Sequence, residues 1–318
     1  MESESVASER SESPEDAHTD TSWVDRDAYP FETDCLRLTE GAVNYVDEGP
    51  SDPAGTLLML HGNPTWSFLY RHLVRGLSDR YRCVALDYLG FGLSERPEEF
   101  SYRPEDHAVV VEEFVEALGL EDVILVVQDW GGPIGLSYAV DHPENVRALV
   151  VMNTFAWPVD DDAHFRRFSA LFGGALGRVL CERYDLFTRV VMPLAFGDRR
   201  RFPASVREQY VAAHRGRDRT GTWMFPRRVV GSSGWLASLW NRRERIAHLP
   251  TRIVWGMNDA AFRASELRTF EGWFEEASVV RLRGVGHYVQ EEMGEDLVPY
   301  VREFLESLGS EDETGYAD

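Results

Sequence analysis

The chain has 318 residues, with 54 acidic against 33 basic side chains and a formal net charge of −21; 43% hydrophobic content can fill a core, which excludes global disorder. That charge argues against nucleic acid and against an anionic membrane surface as partners. No apolar stretch approaches the roughly 20 residues of a bilayer span and the acidic start does not read as a signal peptide, so a soluble cytoplasmic protein is expected.

Residues 1–22 hold seven acids, one arginine and no apolar pattern, and read as a disordered acidic tail. Two modestly hydrophobic segments, 35–38 and 42–46, read as an antiparallel edge. Apolar runs then follow at 56–60 (TLLML), 82–86 (RCVAL), 123–128 (VILVVQ), 148–152 (ALVVM), 252–255 (RIVW) and 278–282 (SVVRL). Amphipathic helices separate them, for example at 105–117 and 296–308. Strands apolar on both faces, alternating with helices, predict a mainly parallel sheet covered on both sides. Between 155 and 245 the rhythm changes to helices and loops, with 17 arginines against nine acids. A main domain of 23–154 and 246–309 carrying an inserted helical cap of 155–245 accounts for the break. Residues 310–318 read as a second acidic tail. Three scattered cysteines (Cys35, Cys83, Cys181), an odd number, suit reduced thiols.

In a parallel α/β sheet, reactive groups sit at the carboxyl ends of strands. Strand 123–128 ends in Gln128-Asp129-Trp130-Gly131-Gly132 and leads into a helix over 133–140. A sharp strand–nucleophile–helix turn needs small residues around it, and Asp129 stands where a serine hydrolase would carry its serine. An aspartate before Gly-Gly could also merely cap the helix. Three other strand ends agree with the turn. His61-Gly62-Asn63-Pro64 follows strand 56–60, where a backbone N–H completes an oxyanion hole. Asp259, after strand 252–255, takes the triad-acid position, and His287, after 278–282, takes the base position. Nucleophile, acid and histidine in that order match the α/β-hydrolase arrangement.

On these motifs the chain resembles the haloalkane dehalogenases from about residue 29 to 308. The carriers are HGNPTW (61–66), DYLGFGLSERP (87–97), VVQDWGGPIGL (126–136), TWMFPRRVV (222–230), WGMND (255–259) and GVGHYVQEE (284–292). The resemblance implies an α/β-hydrolase fold with an eight-stranded, mostly parallel sheet and a helical cap. It implies a haloalkane, water and a halide ion as partners, and no cofactor. The chemistry is coherent: a carboxylate attacks an alkyl carbon without prior deprotonation and forms an ester. Asn63 and Trp130 offer side-chain N–H groups to the leaving halide and backbone N–H groups to the later oxyanion. His287, oriented by Asp259, activates the water that hydrolyses the ester.

Some dehalogenases place a glutamate triad acid after the strand preceding the cap; here Asn153 stands there, so Asp259 is expected to serve and Asn153 to tolerate alanine. Cap tryptophans Trp157, Trp223, Trp235 and Trp240 are expected in core packing, with a place in the pocket wall as the alternative. An epoxide hydrolase using the same Asp129, His287 and Asp259 stays open, with Tyr184 and Tyr210 as its phenols. No G-x-S-x-G and no paired-histidine metal motif occurs. Every cation is arginine, and this lysine-free acidity resembles proteins of salt-in halophiles.

Overall fold

The computed structural model describes residues 21–216 and 218–312, with side chains to 309. Eight strands form one sheet: β1 (Asp34–Arg37), β2 (Ala42–Glu48), β3 (Thr56–Leu60), β4 (Arg82–Leu86), β5 (Val123–Asp129), β6 (Val146–Thr154), β7 (Thr251–Gly256) and β8 (Ala277–Leu282). Their spatial order is β1-β2-β4-β3-β5-β6-β7-β8. β2 runs antiparallel to both of its neighbours, β1 and β4, and the other five pairs are parallel, so the expected antiparallel edge and parallel body are both present.

Alternation along the strands feeds two cores. On β3, Leu58 and Leu60 enter one cluster with Val123, Leu125 and Val127 of β5. Leu57 and Met59 enter the other with Ile124 and Val126. All seven residues of β5 are buried. Each buried Val or Leu there contributes on the order of 1.5–3 kcal/mol, which fixes the strand whose end carries Asp129.

Between β6 and β7 the described residues form helices and no strand: Ala163–Phe172, Ala175–Tyr184, Met192–Ala195, Ala204–Ala213, Thr220–Gly231 and Ser233–Asn241. Trp157 and Trp240 pack edge to face 5.3 Å apart, and Trp240 meets Trp273 at 5.2 Å. The acidic tails lie outside the described residues at 1–20 and 313–318. At their inner ends the expectation is corrected. Val24 N–H closes a turn on Thr21 O at 3.0 Å, and helix Val298–Asp312 continues beyond 309. No cysteine is in a disulfide, and no described helix is long and apolar enough to cross a membrane.

Candidate active site

The turn at the end of β5 places Asp129 at φ +50°, a left-handed conformation uncommon for a residue other than glycine. The turn is closely packed. A Cβ on Gly131 would sit 2.0 Å from Leu60 O, and one on Gly62 would sit 2.3 Å from the Asp129 side chain. Both positions therefore need glycine. Asp129 O is held by Thr154 Oγ1 of β6.

The carboxylate is asymmetric in its partners. Asp129 Oδ2 accepts from Asn63 N–H at 2.7 Å, and Trp130 N–H also stabilises the charge. Oδ1 lies 3.8 Å from His287 Nε2. Burial raises the Asp129 pKa above the usual carboxylate value, an effect that His287 and the two backbone N–H groups partly oppose. A raised pKa makes the carboxylate a stronger nucleophile.

His287 Nδ1 meets Asp259 Oδ2 at 2.9 Å. Its other nitrogen faces Gln128, whose Nε2 lies 3.0 Å from His287 Nε2 and donates to His287 O at 3.2 Å. An amide NH₂ only donates, so His287 Nε2 accepts and the ring proton sits on Nδ1, facing Asp259. Burial alone would depress the His287 pKa; Asp259, Asp129 and Glu292 lift it above the usual histidine value. Nε2 is thus the lone pair of a base whose conjugate acid is stabilised.

Asn153 requires a correction. It lies buried in β6 at φ +24°, where the pairing with β5 skips it: Gln128 faces Met152 and Asp129 faces Thr154. Its amide NH₂ donates to Asp259 Oδ2 at 2.9 Å, and its carbonyl accepts from Gly256 N–H at 2.7 Å. Asp259 Oδ1 accepts from Ala261 N–H at 2.6 Å. Asn153 is therefore no bystander; it holds the Asp259 carboxylate.

The two halide-donor candidates, Asn63 and Trp130, line the same cavity as Asp129. The Trp130 indole is clamped between Phe155, edge-on at 5.0 Å, and Phe225, stacked at 5.4 Å. Its Nε1 makes no hydrogen bond among the described residues. Asn63 Nδ2 donates to Thr222 O at 3.1 Å. That acceptor is free because Pro226, four residues on in the same helix, has no N–H to take it. One amide hydrogen of Asn63 remains for the cavity, and the TWMFPRRVV motif acquires a purpose.

Asn63, Asp129, Trp130 and His287 line one small cavity. Phe155, Phe165, Phe168, Phe187 and Phe262 make its walls, with His164 and Tyr288 as further polar members. None of the four cap tryptophans lines it. Tyr184 is exposed and Tyr210 is bonded to Glu291; neither reaches the cavity. Tyr288 does, but its hydroxyl donates to Asn63 O at 3.0 Å. No cluster of three His, Cys, Asp or Glu suited to a metal occurs among the described residues.

The family model of the alpha/beta hydrolase fold matches residues 55–293, and the chain belongs to that family. Within it, the chain is an enzyme homologous to haloalkane dehalogenases. It is 39% identical over 273 residues to Haloalkane dehalogenase 2 of Mycobacterium tuberculosis, covering 84% of this chain and 93% of that one. It is also 36% identical over 296 residues to a cis-3-alkyl-4-alkyloxetan-2-one decarboxylase of Xanthomonas campestris, covering 87% and 97%. Among solved structures, an ancestral haloalkane dehalogenase matches with TM-score 0.79 at 25% identity, over 87% of this chain and 99% of that one. A loop variant of a Bradyrhizobium elkanii haloalkane dehalogenase matches in fold, with TM-score 0.80 at 24% identity over 89% and 99%.

Proposed function

We propose that the protein hydrolyses haloalkanes to an alcohol and a halide ion. Asp129 Oδ1 attacks the halogen-bearing carbon, the carbon–halogen bond breaks, and the halide leaves with the bonding electrons toward Trp130 Nε1 and the Asn63 amide. The ester carbonyl oxygen stays on the backbone N–H groups of Asn63 and Trp130. His287 Nε2 then takes a proton from water, whose oxygen adds to Asp129 Cγ. Collapse of the oxyanion releases the alcohol, which takes the proton back from His287, and leaves Asp129 as the acid, whose remaining proton passes to solvent to restore the carboxylate. The observation that carries this reading is an Asp129 carboxylate with one oxygen in a backbone N–H cradle and the other toward the aromatic cavity.

Two other reactions could use the same aspartate. An epoxide hydrolase needs phenol donors over the opening oxygen, and the two candidate tyrosines lie elsewhere. The likeness to the oxetan-2-one decarboxylase keeps a second reading in play, in which Asp129 opens a strained four-membered lactone at its alkyl carbon. Purified enzyme should be given 1-bromobutane, 1,2-dibromoethane, a terminal epoxide and a cis-3,4-dialkyloxetan-2-one. Bromide release without diol is expected. Carbon dioxide and alkene from the lactone, with no bromide from either bromide substrate, would replace the proposal. Trp130→Phe keeps the packing but removes one donor to the halide. A hydrogen bond to an anion contributes about 1.5–3 kcal/mol, so bromide release should slow roughly 10- to 150-fold if the bond acts fully in the transition state.

We further propose that the chain works at high salt. Its net charge of −21 repels itself in dilute buffer, whereas at 1 M salt the Debye length shrinks to about 3 Å. Melting temperature should rise from low to molar KCl; an unchanged value sinks the idea.

A further inference from the structure

The helical insertion meets the histidine loop backbone to backbone. His287 N–H donates to Ala195 O at 2.9 Å. Gly197 N–H and Asp198 N–H donate to Glu292 Oε1 and Oε2, each at 3.0 Å. Gly286 N–H, immediately before His287, donates to the same Oε1 at 2.6 Å. One carboxylate thus ties the insertion to the loop that carries the base.

Glu292 differs from its neighbour. Glu291 is neutralised by Arg71, which donates to both of its oxygens at 2.5 and 2.8 Å, and it also bonds Tyr210. Glu292 is 3% exposed and has no ion pair among the described residues. The Arg201 guanidinium donates to its backbone carbonyl at 2.7 Å instead. A buried carboxylate needs donors to offset its lost hydration, and three N–H groups supply them. They satisfy the group without cancelling its charge.

We propose that Glu292 is a positioning residue for ester hydrolysis, clasping residues 195–198 to the histidine loop and holding His287 where it can activate water. This rests on the dehalogenation reading above. The groups facing His287 are Asp259 at Nδ1, Asp129 and the neutral Gln128 amide at Nε2, and the Phe262 and Tyr288 rings. Glu292 adds a third negative charge from behind the loop, and that charge favours protonated His287.

Glu292→Gln removes the charge and sets an NH₂ against one of three N–H donors. In single-turnover reactions with 1-bromobutane, the bromide burst should keep its wild-type rate, because Asp129 attacks without His287. Hydrolysis of the ester should slow roughly tenfold or more. The acid limb of the hydrolysis rate should move to lower pH, since neutral His287 persists further down. Burst amplitude counts the folded sites, so partial misfolding does not confuse the rate per site. Glu292→Asp retains the charge but not the reach; it should slow hydrolysis with a smaller displacement of the limb. Independently of any substrate, NMR titration of the His287 ring should give a lower pKa in Glu292→Gln. Unchanged hydrolysis with an unchanged His287 titration overturns the proposal, as does an equal loss of burst and hydrolysis. Wild-type enzyme that releases no halide would defeat the dehalogenation reading instead, and the titration would still judge the clasp's effect on His287.

Discussion

His287→Phe is expected to release about one halide per active site and then stall. Asp129 needs no base: although burial raises its pKa, the neighbouring N–H groups of Asn63 and Trp130 favour the carboxylate. The first step should therefore survive. The second should not, because water near the ester is a poor nucleophile until His287 Nε2 takes its proton, and a general base supplies typically 10²–10⁴-fold. Phenylalanine fills the space of the ring but has no lone pair. Intact-mass analysis should find the chain heavier by one alkyl group, and peptide mapping should put it on Asp129. Asp129→Ala should show neither burst nor adduct. Continuous turnover by His287→Phe, or an adduct on another residue, defeats the mechanism. A lactone-opening enzyme would carry its label from the oxetanone and not from the bromide.

The sheet was legible because its central strands are buried on both faces, and TLLML, RCVAL and VILVVQ announce that by composition alone. Strand ends were less so. β5 runs on through Asp129 and β6 through Thr154, where polar residues still pair although no apolar signal marks them. Asp129, Asp259 and His287 could be read because each follows a strand at a glycine-bearing loop. Asn153, Gln128 and Glu292 could not be assigned their roles. Each works through a partner remote in sequence, Asn153 and Asp259 being 106 positions apart, and an amide or carboxylate has no local pattern that reveals such a partner. Thr222 was legible as part of a motif but not as an acceptor. Its carbonyl became significant only when Asn63 lay against the helix turn that Pro226 leaves unbonded.

Asp259→Asn should lose turnover on the order of 10⁴-fold, through the tautomer of His287 rather than through loss of shape. In the native site both Asp259 oxygens are surrounded by donors: Oδ1 by Ala261 N–H, and Oδ2 by Asn153 NH₂ and His287 Nδ1–H. An asparagine has only one oxygen to offer. If it keeps that oxygen on Ala261, its NH₂ faces His287 Nδ1, and the ring must move its proton to Nε2. There the proton opposes the Gln128 NH₂ and the lone pair needed for water is gone. If the amide turns over, its NH₂ opposes Ala261 N–H in a buried site, which costs about 1–3 kcal/mol in unsatisfied donors. Either way ester hydrolysis suffers and alkylation does not, so the variant should accumulate the same Asp129 adduct as His287→Phe. Asn153→Ala tests the neighbouring link. It removes one donor from Asp259 Oδ2 and one acceptor from Gly256 N–H, but leaves the carboxylate and the His287 tautomer intact. A loss of roughly tenfold in hydrolysis is expected, with stability lowered by about 1–3 kcal/mol, in place of the tolerance that the sequence alone implied. Equal losses in the two variants would mean that Asn153, and not the charge on Asp259, sets the state of the histidine.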